Sequence, residues 1–312
     1  MSDAPAEVLA LADARARARA DKDFARSDEL RDEIAASGWL IKDTPDGYSL
    51  SEKPPFDVAA TLAVLVDLAP RIDAAVCTIG LIVDGWPDDV RTCLDALMAH
   101  APDGAVVIAL DLGNVDGAGL VLHEYARAHP SRITELHCAQ TLQQAGWSAA
   151  VTSLLQISES RVHIIMDLSS VLEGDAVTPL VEAIDGHVVG AAWKGANVDV
   201  DDAWRSVTDA GPGEVDVLLG YFAALDREAA LATPPHPKAK FYRNADLEWS
   251  LALRAAGGSI VVPTSGLPVR QDRHRGYHDS DPAYRDKESR KTYDRILQSF
   301  RGRDEILHRT SG

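Results

Sequence analysis

The chain has 312 residues, of which 46% are hydrophobic, and its formal net charge at pH 7 is −17. This length exceeds one average domain, so we expect a large domain and a small one. The negative charge argues against non-specific nucleic-acid binding, because phosphate groups would be repelled. No uncharged apolar run reaches the roughly 18 residues of a membrane span, and the first residues lack the apolar stretch of a signal peptide. We therefore expect a cytoplasmic protein without a membrane span.

The cysteines indicate neither a disulfide framework nor a zinc site. Cys77, Cys93 and Cys138 are odd in number, lie far apart and lack paired spacing. We expect reduced thiols that are mostly buried.

The first 56 residues predict a small helical domain that ends in a hairpin. From about Ala4 to Ser37 the apolar residues recur at helical spacing, which fits two short helices. Gly38 stands where a helix C-cap belongs, and the following WLIKDTPDGYSL indicates a hairpin turned by Pro-Asp-Gly. A Pro-Pro pair within residues 51–57 interrupts both helices and strands. We place the linker there, between domains 1–56 and 57–312.

The stretch ARADKDFARSDELRDEIAASGWLIKDTPDGYSL resembles the C-terminal end of cysteinyl-tRNA synthetases, over about 45 residues. In those synthetases the surrounding region helps to hold the tRNA, so the resemblance admits a tRNA-linked role. The segment lacks a basic face of its own, which favours a reused helical module that serves as a packing or dimerisation surface. We do not expect tRNA as a partner, and a homodimer stays open.

From Val58 onward, apolar strand-like runs alternate with amphipathic helices, which predicts an α/β domain built on a mainly parallel sheet. The predicted strands are residues 74–83, 105–110, 133–138, 163–166, 188–193, 216–224 and 259–263. The predicted helices are residues 88–100, 117–129, 146–158, 175–183 and 244–256. Ligands of such sheets bind at the carboxyl ends of strands, so the residues just after strands carry most weight.

Two carboxylates follow predicted strands. Asp111 opens a turn with Gly113, Asn114 and Asp116, where an acidic side chain suits a nucleobase or ribose and glycine permits close approach of the backbone. The same residue types suit a plain strand-to-helix turn. Asp167 follows the apolar run VHIIM and suits a magnesium or manganese ion. It also suits a helix cap or a loop contact, so both interpretations stay open for each carboxylate.

Two further features lie near the C-terminus. Asp246 and Glu248 stand near the start of a predicted helix, where carboxylates are favoured by the helix dipole and where one of them can also deprotonate an acceptor hydroxyl. Arg273, His274 and Arg275 belong to a basic cluster that suits a diphosphate, although clustered basic residues in a loop are often only solvated.

Taken in chain order, these segments resemble family-two glycosyltransferases of the GT-A fold, over roughly residues 74–300. The opening run AVCTIGLIVDGWPDDVRTCLDAL is similar to the family's first strand and helix, and residues 111–116 approximate its Asp-x-Gly-Ser-x-Asp turn. The resemblance implies a Rossmann-like, mainly parallel sheet flanked by helices and a nucleoside diphosphate sugar as donor. It also implies that Asp111, Gly113 and Asp116 bind the nucleotide, with Asp111 on the base.

Other family motifs match in part. Gly146 opens the family's Gly-x-x-x-Ala helix and is implied to bind the nucleotide, but the usual Arg-Asn pair is Val-Thr at 151–152. The metal-binding Asp-x-Asp is matched only at Asp167, because its partner position is Ser169. The resemblance thus implies a Mn or Mg ion at Asp167 on which binding depends only weakly.

The later Asp-x-Asp-Leu helix aligns with Asp246 and Glu248, which makes Asp246 the implied catalytic base and Glu248 its neighbour. The stretch HRGYHD, with the preceding arginine, is similar to a loop on the diphosphate and acceptor side of some members. This similarity implies that Arg273, His274 and Arg275 bind the donor diphosphate.

The sequence therefore predicts an inverting hexosyl- or related transferase that moves a sugar from a nucleotide sugar to an unidentified hydroxyl acceptor. The alternative is a catalytically degenerate GT-A domain that binds a nucleotide or a partner, which the missing metal carboxylate and the lost Arg-Asn pair favour. A nucleotidyltransferase on the same kind of sheet would release pyrophosphate. The chain lacks the Gly-rich, Lys-containing loop early in the sheet that would support this third interpretation.

Overall fold

The structure is a computed structural model that describes residues 4–45, 47–264, 266–272 and 281–308. The chain divides into two compact units, Met1–Asp57 and Val58–Gly312. This division falls one residue from the boundary that we predict from the Pro-Pro linker.

The N-terminal unit contains the predicted helix pair and hairpin. In chain order its elements are α1 (Ala6–Ala20), α2 (Phe24–Ala36), β1 (Trp39–Thr44) and β2 (Gly47–Glu52). The Asp23 side chain caps α2 by accepting a hydrogen bond from the Arg26 N–H at 3.1 Å, and Gly38 leaves the helix with φ +81°. Val8, Ala12, Ile34 and Trp39 form the buried core of this unit.

The larger unit alternates strands and helices as predicted. Its first strands are β3 (Cys77–Val83), β4 (Ala105–Leu112), β5 (Ile133–Cys138), β6 (Val162–Met166), β7 (Ser170–Leu172) and β8 (Val188–Ala192). The remaining strands are β9 (Gly195–Val198), β10 (Val207–Ala210), β11 (Gly213–Glu214), β12 (Val217–Leu218), β13 (Phe222–Asp226), β14 (Ser259–Val262) and β15 (Val269–Gln271). The helices are α3 (Leu62–Leu68), α4 (Pro87–His100), α5 (Ala118–Ala128), α6 (Leu142–Ala145), α7 (Trp147–Ile157), α8 (Val177–Glu182), α9 (Arg227–Ala232), α10 (Ala245–Ala255) and α11 (Pro282–Ser299).

Eight strands form the main sheet in the order β11-β14-β8-β13-β6-β3-β4-β5. Strand β3 is parallel to both β4 and β6, β4 is parallel to β5, and β14 is parallel to β8. Strand β13 is antiparallel to both of its neighbours, and the short β11 is antiparallel to β14. The strand order reverses at β3, so a crevice opens beside the carboxyl ends of β3, β4 and β6.

Helices cover both faces of the main sheet, and the side chains of β3 alternate between these two helical layers. Ile79 and Leu81 pack into a core formed with α4, α5 and α8. Gly80 and Ile82 point to the opposite face, where α7 packs on the sheet. The near-continuous apolar strands follow from this double coverage.

One predicted strand, residues 216–224, is wrong. The structure divides this run into β12 and β13, which belong to two different sheets. Between them the Leu219 N–H donates to the Lys194 carbonyl, and the Gly220 N–H donates to the Asp246 carboxylate at 3.0 Å instead of to a neighbouring strand. The apolar pattern runs through the break, so the local sequence does not mark it.

The three cysteines are buried and free, as predicted. Within the described ranges, none of the helices combines the length and the hydropathy that crossing a bilayer requires.

We predict that limited proteolysis cuts the chain within residues 53–57, because this segment connects two units that are each internally compact. A fragment of residues 58–312 should unfold cooperatively, with a melting temperature within a few degrees of that of the full chain. Circular dichroism measures both transitions. An insoluble fragment, or one that melts without cooperativity, would contradict the division.

Candidate active site

A cleft opens at the carboxyl ends of β3 and β6 and contains two adjoining pockets that share Asp84 and Leu142. The inner pocket encloses about 680 Å³, counting its open mouth, and the outer pocket encloses about 830 Å³. The polar and aromatic side chains of the inner pocket are Asp84, Asp167, Tyr221, Tyr242, Asp246 and Trp147. Those of the outer pocket are Asp84, Thr141, Gln143, Lys240, Phe241, Asp281 and Tyr284.

Asp246 lies in the first turn of α10 and lines the inner pocket. One carboxylate oxygen accepts the Gly220 N–H at 3.0 Å, and the other accepts the Leu247 N–H at 2.9 Å. Burial raises the pKa of Asp246 to about 6, although both backbone hydrogen bonds act in the opposite direction. A carboxylate with this pKa can accept a proton near neutral pH.

Glu248 lies away from the cleft. Its buried carboxylate accepts two hydrogen bonds from Arg295 of α11, at 2.8 Å from Nε and 2.7 Å from Nη2. Residues two apart on a helix differ by about 200° in direction, so Asp246 faces the cleft while Glu248 faces α11. The structure thus places one of the two predicted catalytic carboxylates in the pocket and the other in a contact between helices.

Asp167 directly follows β6 and lines the inner pocket. Its N–H donates to the Tyr221 carbonyl at 2.9 Å, and its Oδ1 accepts the Ser169 N–H at 2.8 Å. Ser169 is buried and its Oγ accepts a hydrogen bond from Gln271 at 3.2 Å. A carboxylate is a ligand type that a hard cation prefers. Across the described residues, no three or more His, Cys, Asp or Glu side chains group as a metal site.

Sequence reasoning missed Asp84. This residue follows β3 directly and lines both pockets. The signal was present, because a carboxylate immediately after a buried parallel strand is the feature that singled out Asp111 and Asp167.

Asp111 is nearly inaccessible, with 1% of its surface exposed. Its Oδ1 accepts the Asn114 N–H at 3.1 Å, and its Oδ2 lies 2.9 Å from Nδ1 of His137. The turn that follows, residues 113–117, contains left-handed conformations at Gly113 and Asp116, with φ values of +86° and +52°. Asp116 is exposed, and the turn reaches the outer pocket through Val115.

Gly146 lies beneath the side chain of Lys240, a second residue that sequence reasoning missed. A Cβ added at Gly146 would lie 2.6 Å from Cδ of Lys240, and the φ of Gly146 is +90°. Lys240 Nζ donates to the Ala145 carbonyl at 3.3 Å, and the Lys240 carbonyl accepts the first N–H of α7, that of Trp147, at 3.1 Å. Lys240 lies in an irregular segment without a recognisable motif, so nothing in the sequence marked it.

The predicted diphosphate ligands Arg273, His274 and Arg275 lie outside the described residues. Arg270, which precedes them, forms exposed ion pairs with Asp272 and with Glu173, the latter at 3.2 Å. It does not line either pocket.

Comparison with known proteins shows which family the N-terminal segment resembles. Residues 1–48 match the family model of the cysteinyl-tRNA ligase anticodon binding domain. The cysteine–tRNA ligase of Opitutus terrae is 57% identical over 49 residues, which are 16% of this chain and 11% of that protein. The ligase of Nitratidesulfovibrio vulgaris is 63% identical over 43 residues, which are 14% of this chain and 9% of that protein. The chain therefore spans about a tenth of the length of these curated relatives.

Solved structures assign the fold of the larger unit. The mannosyltransferase PcManGT from Pyrobaculum calidifontis, in complex with GDP-Man and Mn2+, is similar with a TM-score of 0.54 and 15% identity, over 79% of this chain and 68% of that chain. GalNAc-T7 with UDP, GalNAc and Mn2+ is similar with a TM-score of 0.51 and 14% identity, over 61% of this chain and 43% of that chain. The chain thus carries a GT-A glycosyltransferase fold, as its sequence predicts.

We predict that Glu248→Gln lowers the free energy of unfolding by about 3 kcal/mol, because it leaves the Arg295 guanidinium with a neutral partner in a mostly buried contact. Urea denaturation monitored by fluorescence measures the change. Asp286→Asn on α11 serves as the matched control, since its ion pair with Arg285 is exposed and should contribute little. Equal losses in the two variants would show that the Glu248 pair has no special structural role.

Proposed function

We propose that the protein is an inverting glycosyltransferase that moves a sugar from a nucleoside diphosphate donor to a hydroxyl acceptor, with Asp246 as the base. The observation that carries the proposal is the carboxylate of Asp246, which lies in the cleft of a GT-A fold with its pKa raised to about 6. Asp84 and Asp167 lie in the same pocket, at the carboxyl ends of neighbouring parallel strands.

The proposed reaction is a single displacement at the anomeric carbon. Asp246 accepts the proton of the acceptor hydroxyl as the oxygen of that hydroxyl forms a bond to the anomeric carbon. The bond between this carbon and the diphosphate oxygen breaks on the opposite face, and the nucleoside diphosphate leaves with the electron pair. The configuration therefore inverts. Asp246 is suited to the task because it is ionised at neutral pH yet retains enough basicity to take a proton.

The two pockets fit the two halves of the donor. We assign the nucleoside to the outer pocket, where the rings of Phe241 and Tyr284 lie 6.2 Å apart and offer aromatic surface near a base. The sugar then reaches the inner pocket beside Asp246. Lys240 lies at the outer pocket and would attract the diphosphate between them. Arg273, His274 and Arg275 stay predicted diphosphate ligands.

A divalent cation fits Asp167. When bound, Mn2+ or Mg2+ would supply positive charge to the departing diphosphate. Since the second position of the metal motif is the buried Ser169, the cation would have one protein carboxylate where the family motif provides two. We therefore propose a metal dependence that is weak and that requires the nucleotide as a co-ligand.

A nucleotide-binding protein without turnover is the second candidate, and the buried Ser169 in place of a metal carboxylate is the observation that favours it. Incubation with a panel of nucleotide sugars separates the two functions. A transferase releases nucleoside diphosphate, through transfer or slow hydrolysis, whereas the second candidate binds the donor and leaves it intact.

For the N-terminal unit we propose a packing or dimerisation role and no binding of tRNA. Residues 1–57 contain 13 Asp and Glu against 8 Lys and Arg, so this segment would repel a phosphate backbone.

Asp246→Asn should reduce turnover by about a hundredfold or more, because the amide cannot accept the proton, and should change donor affinity little. In the unchanged protein kcat/KM should rise with pH through about 6 and then level off, since only the ionised carboxylate is a base. Initial rates of diphosphate release between pH 5 and 8 test both statements. A pH profile that is flat across this range, or full activity in the variant, would remove Asp246 from the mechanism.

Lys240→Met should weaken binding of nucleoside diphosphate by about tenfold and leave binding of the nucleoside nearly unchanged, because an ammonium group attracts phosphate and not the base. Isothermal titration calorimetry with both ligands measures the difference. Lys238→Met is the matched control, since Lys238 is exposed and lines neither pocket. Equal weakening of both ligands would place Lys240 outside the diphosphate site.

A further inference from the structure

Four side chains form a continuous row of histidines and carboxylates next to the loop that reaches the outer pocket through Val115. Nδ1 of His123 lies 2.9 Å from Oε1 of Glu135, and Oε2 of Glu135 lies 2.9 Å from Nε2 of His137. Nδ1 of His137 lies 2.9 Å from Oδ2 of Asp111. The side chains of His137 and Asp111 are only 3% and 2% exposed, so water is excluded from the contact between them. We refer to these four residues as the His-carboxylate row.

The pairing of β4 with β5 explains why Glu135, His137 and Asp111 lie next to one another. Glu135 and His137 are two apart on β5, so their side chains point to the same face, and His137 pairs with Asp111 across the ladder to β4. Helix α5 contributes His123 and covers the group. Gly119 of α5 permits this packing, because a Cβ there would lie 2.8 Å from Cγ of Asp111.

His137 contacts a carboxylate through each of its ring nitrogens. Nδ1 lies 2.9 Å from Oδ2 of Asp111, and Nε2 lies 2.9 Å from Oε2 of Glu135, both within hydrogen-bond distance. The ring therefore bridges the two carboxylates, and its contact at Nδ1 restrains the Asp111 side chain.

Asp111 in turn holds the loop that lines the outer pocket. Its Oδ1 accepts the Asn114 N–H, and Oδ1 of Asn114 accepts the Gly119 N–H at 3.0 Å. Asn114 and Asp116 adopt left-handed φ values of +45° and +52°, which L-residues take up only when surrounding contacts compensate. Val115, between them, lines the outer pocket and lies against Gly85.

We propose that His137 is a positioning residue for nucleotide binding: through Asp111 it holds residues 113–117 in the conformation that forms one wall of the nucleoside site. The inference rests on the proposed function for its ligand. It also changes the role of Asp111, which acts on the nucleoside through the loop and not by direct contact with the base.

Two substitutions of His137 separate the contacts. In His137→Asn the amide nitrogen takes the place of Nδ1 and retains the hydrogen bond to Asp111, whereas in His137→Gln it takes the place of Nε2 and retains the bond to Glu135. We expect His137→Gln to weaken nucleoside diphosphate binding by about tenfold, with kcat at saturating donor within about twofold. His137→Asn should bind nearly as the unchanged protein does.

Hydrogen exchange provides a measurement that needs no nucleotide. Amide exchange in a peptide that covers residues 111–122 should be about tenfold faster in His137→Gln than in His137→Asn, with both variants compared at equal global stability. Should His137→Gln fail to fold, Asn114→Gly removes the bond to Gly119, tolerates the left-handed conformation and should accelerate exchange in the same peptide.

The outcomes are distinct. If the unchanged protein binds no nucleoside diphosphate, the proposed function fails, and the exchange data still decide whether His137 holds the loop. If exchange is equal in the two His137 variants, or if both bind nucleotide equally well, His137 has no positioning role and the inference is overturned.

Discussion

The arrangement of the cleft depends on the hydrogen bond between the Gly220 N–H and the carboxylate of Asp246. This hydrogen bond lies in the break between β12 and β13, which belong to two different sheets. The chain breaks after β12 and passes beside the first turn of α10 before it enters the main sheet as β13. Gly220 and Tyr221, at the break, line the inner pocket together with Asp246. Burial raises the pKa of Asp246, although the hydrogen bond from Gly220 acts in the opposite direction.

Helix α10 gives two nearby carboxylates opposite roles. Asp246 is held by backbone N–H groups in an open cleft, whereas Glu248 is neutralised by Arg295 in a buried, bidentate pair that joins α10 to α11. A buried carboxylate with a fixed guanidinium partner is poorly placed to accept a substrate proton. The pair instead anchors α11, whose first turn contributes Tyr284 to the outer pocket. Glu248 therefore supports the site from a distance.

In the proposed function the protein binds an anionic donor, although a chain with net charge −17 would repel one at long range. Both described pockets contain carboxylates, and Lys240 stands among them on the outer side. Gly146 permits this placement, since any side chain there would collide with Lys240. In the proposed function Arg273 and Arg275 are a second, predicted source of positive charge. In the proposed function a bound cation at Asp167 would add a third.

Most elements and their order follow from local sequence patterns, because amphipathic periodicity and turn residues act over a few positions. These patterns identified the N-terminal helix pair and hairpin, the alternation that builds the GT-A sheet, and the placement of Asp167 and Asp246 at the ends of elements. The same strand-end rule would have identified Asp84 had it been applied there. Residue type and spacing could not separate a carboxylate that faces a cleft from one that is buried in an ion pair.

The hydrogen-bond and ion-pair partners of the polar side chains become visible only in the folded chain. Gly220 and Asp246 are 26 positions apart, Asp111 and His137 are also 26 apart, and Glu248 and Arg295 are 47 apart. Each contact ends a strand, fixes a loop or neutralises a carboxylate, and none leaves a periodic trace in the local sequence. The role of each polar side chain follows from which distant group packing brings within hydrogen-bond distance, and that is a property of the whole fold.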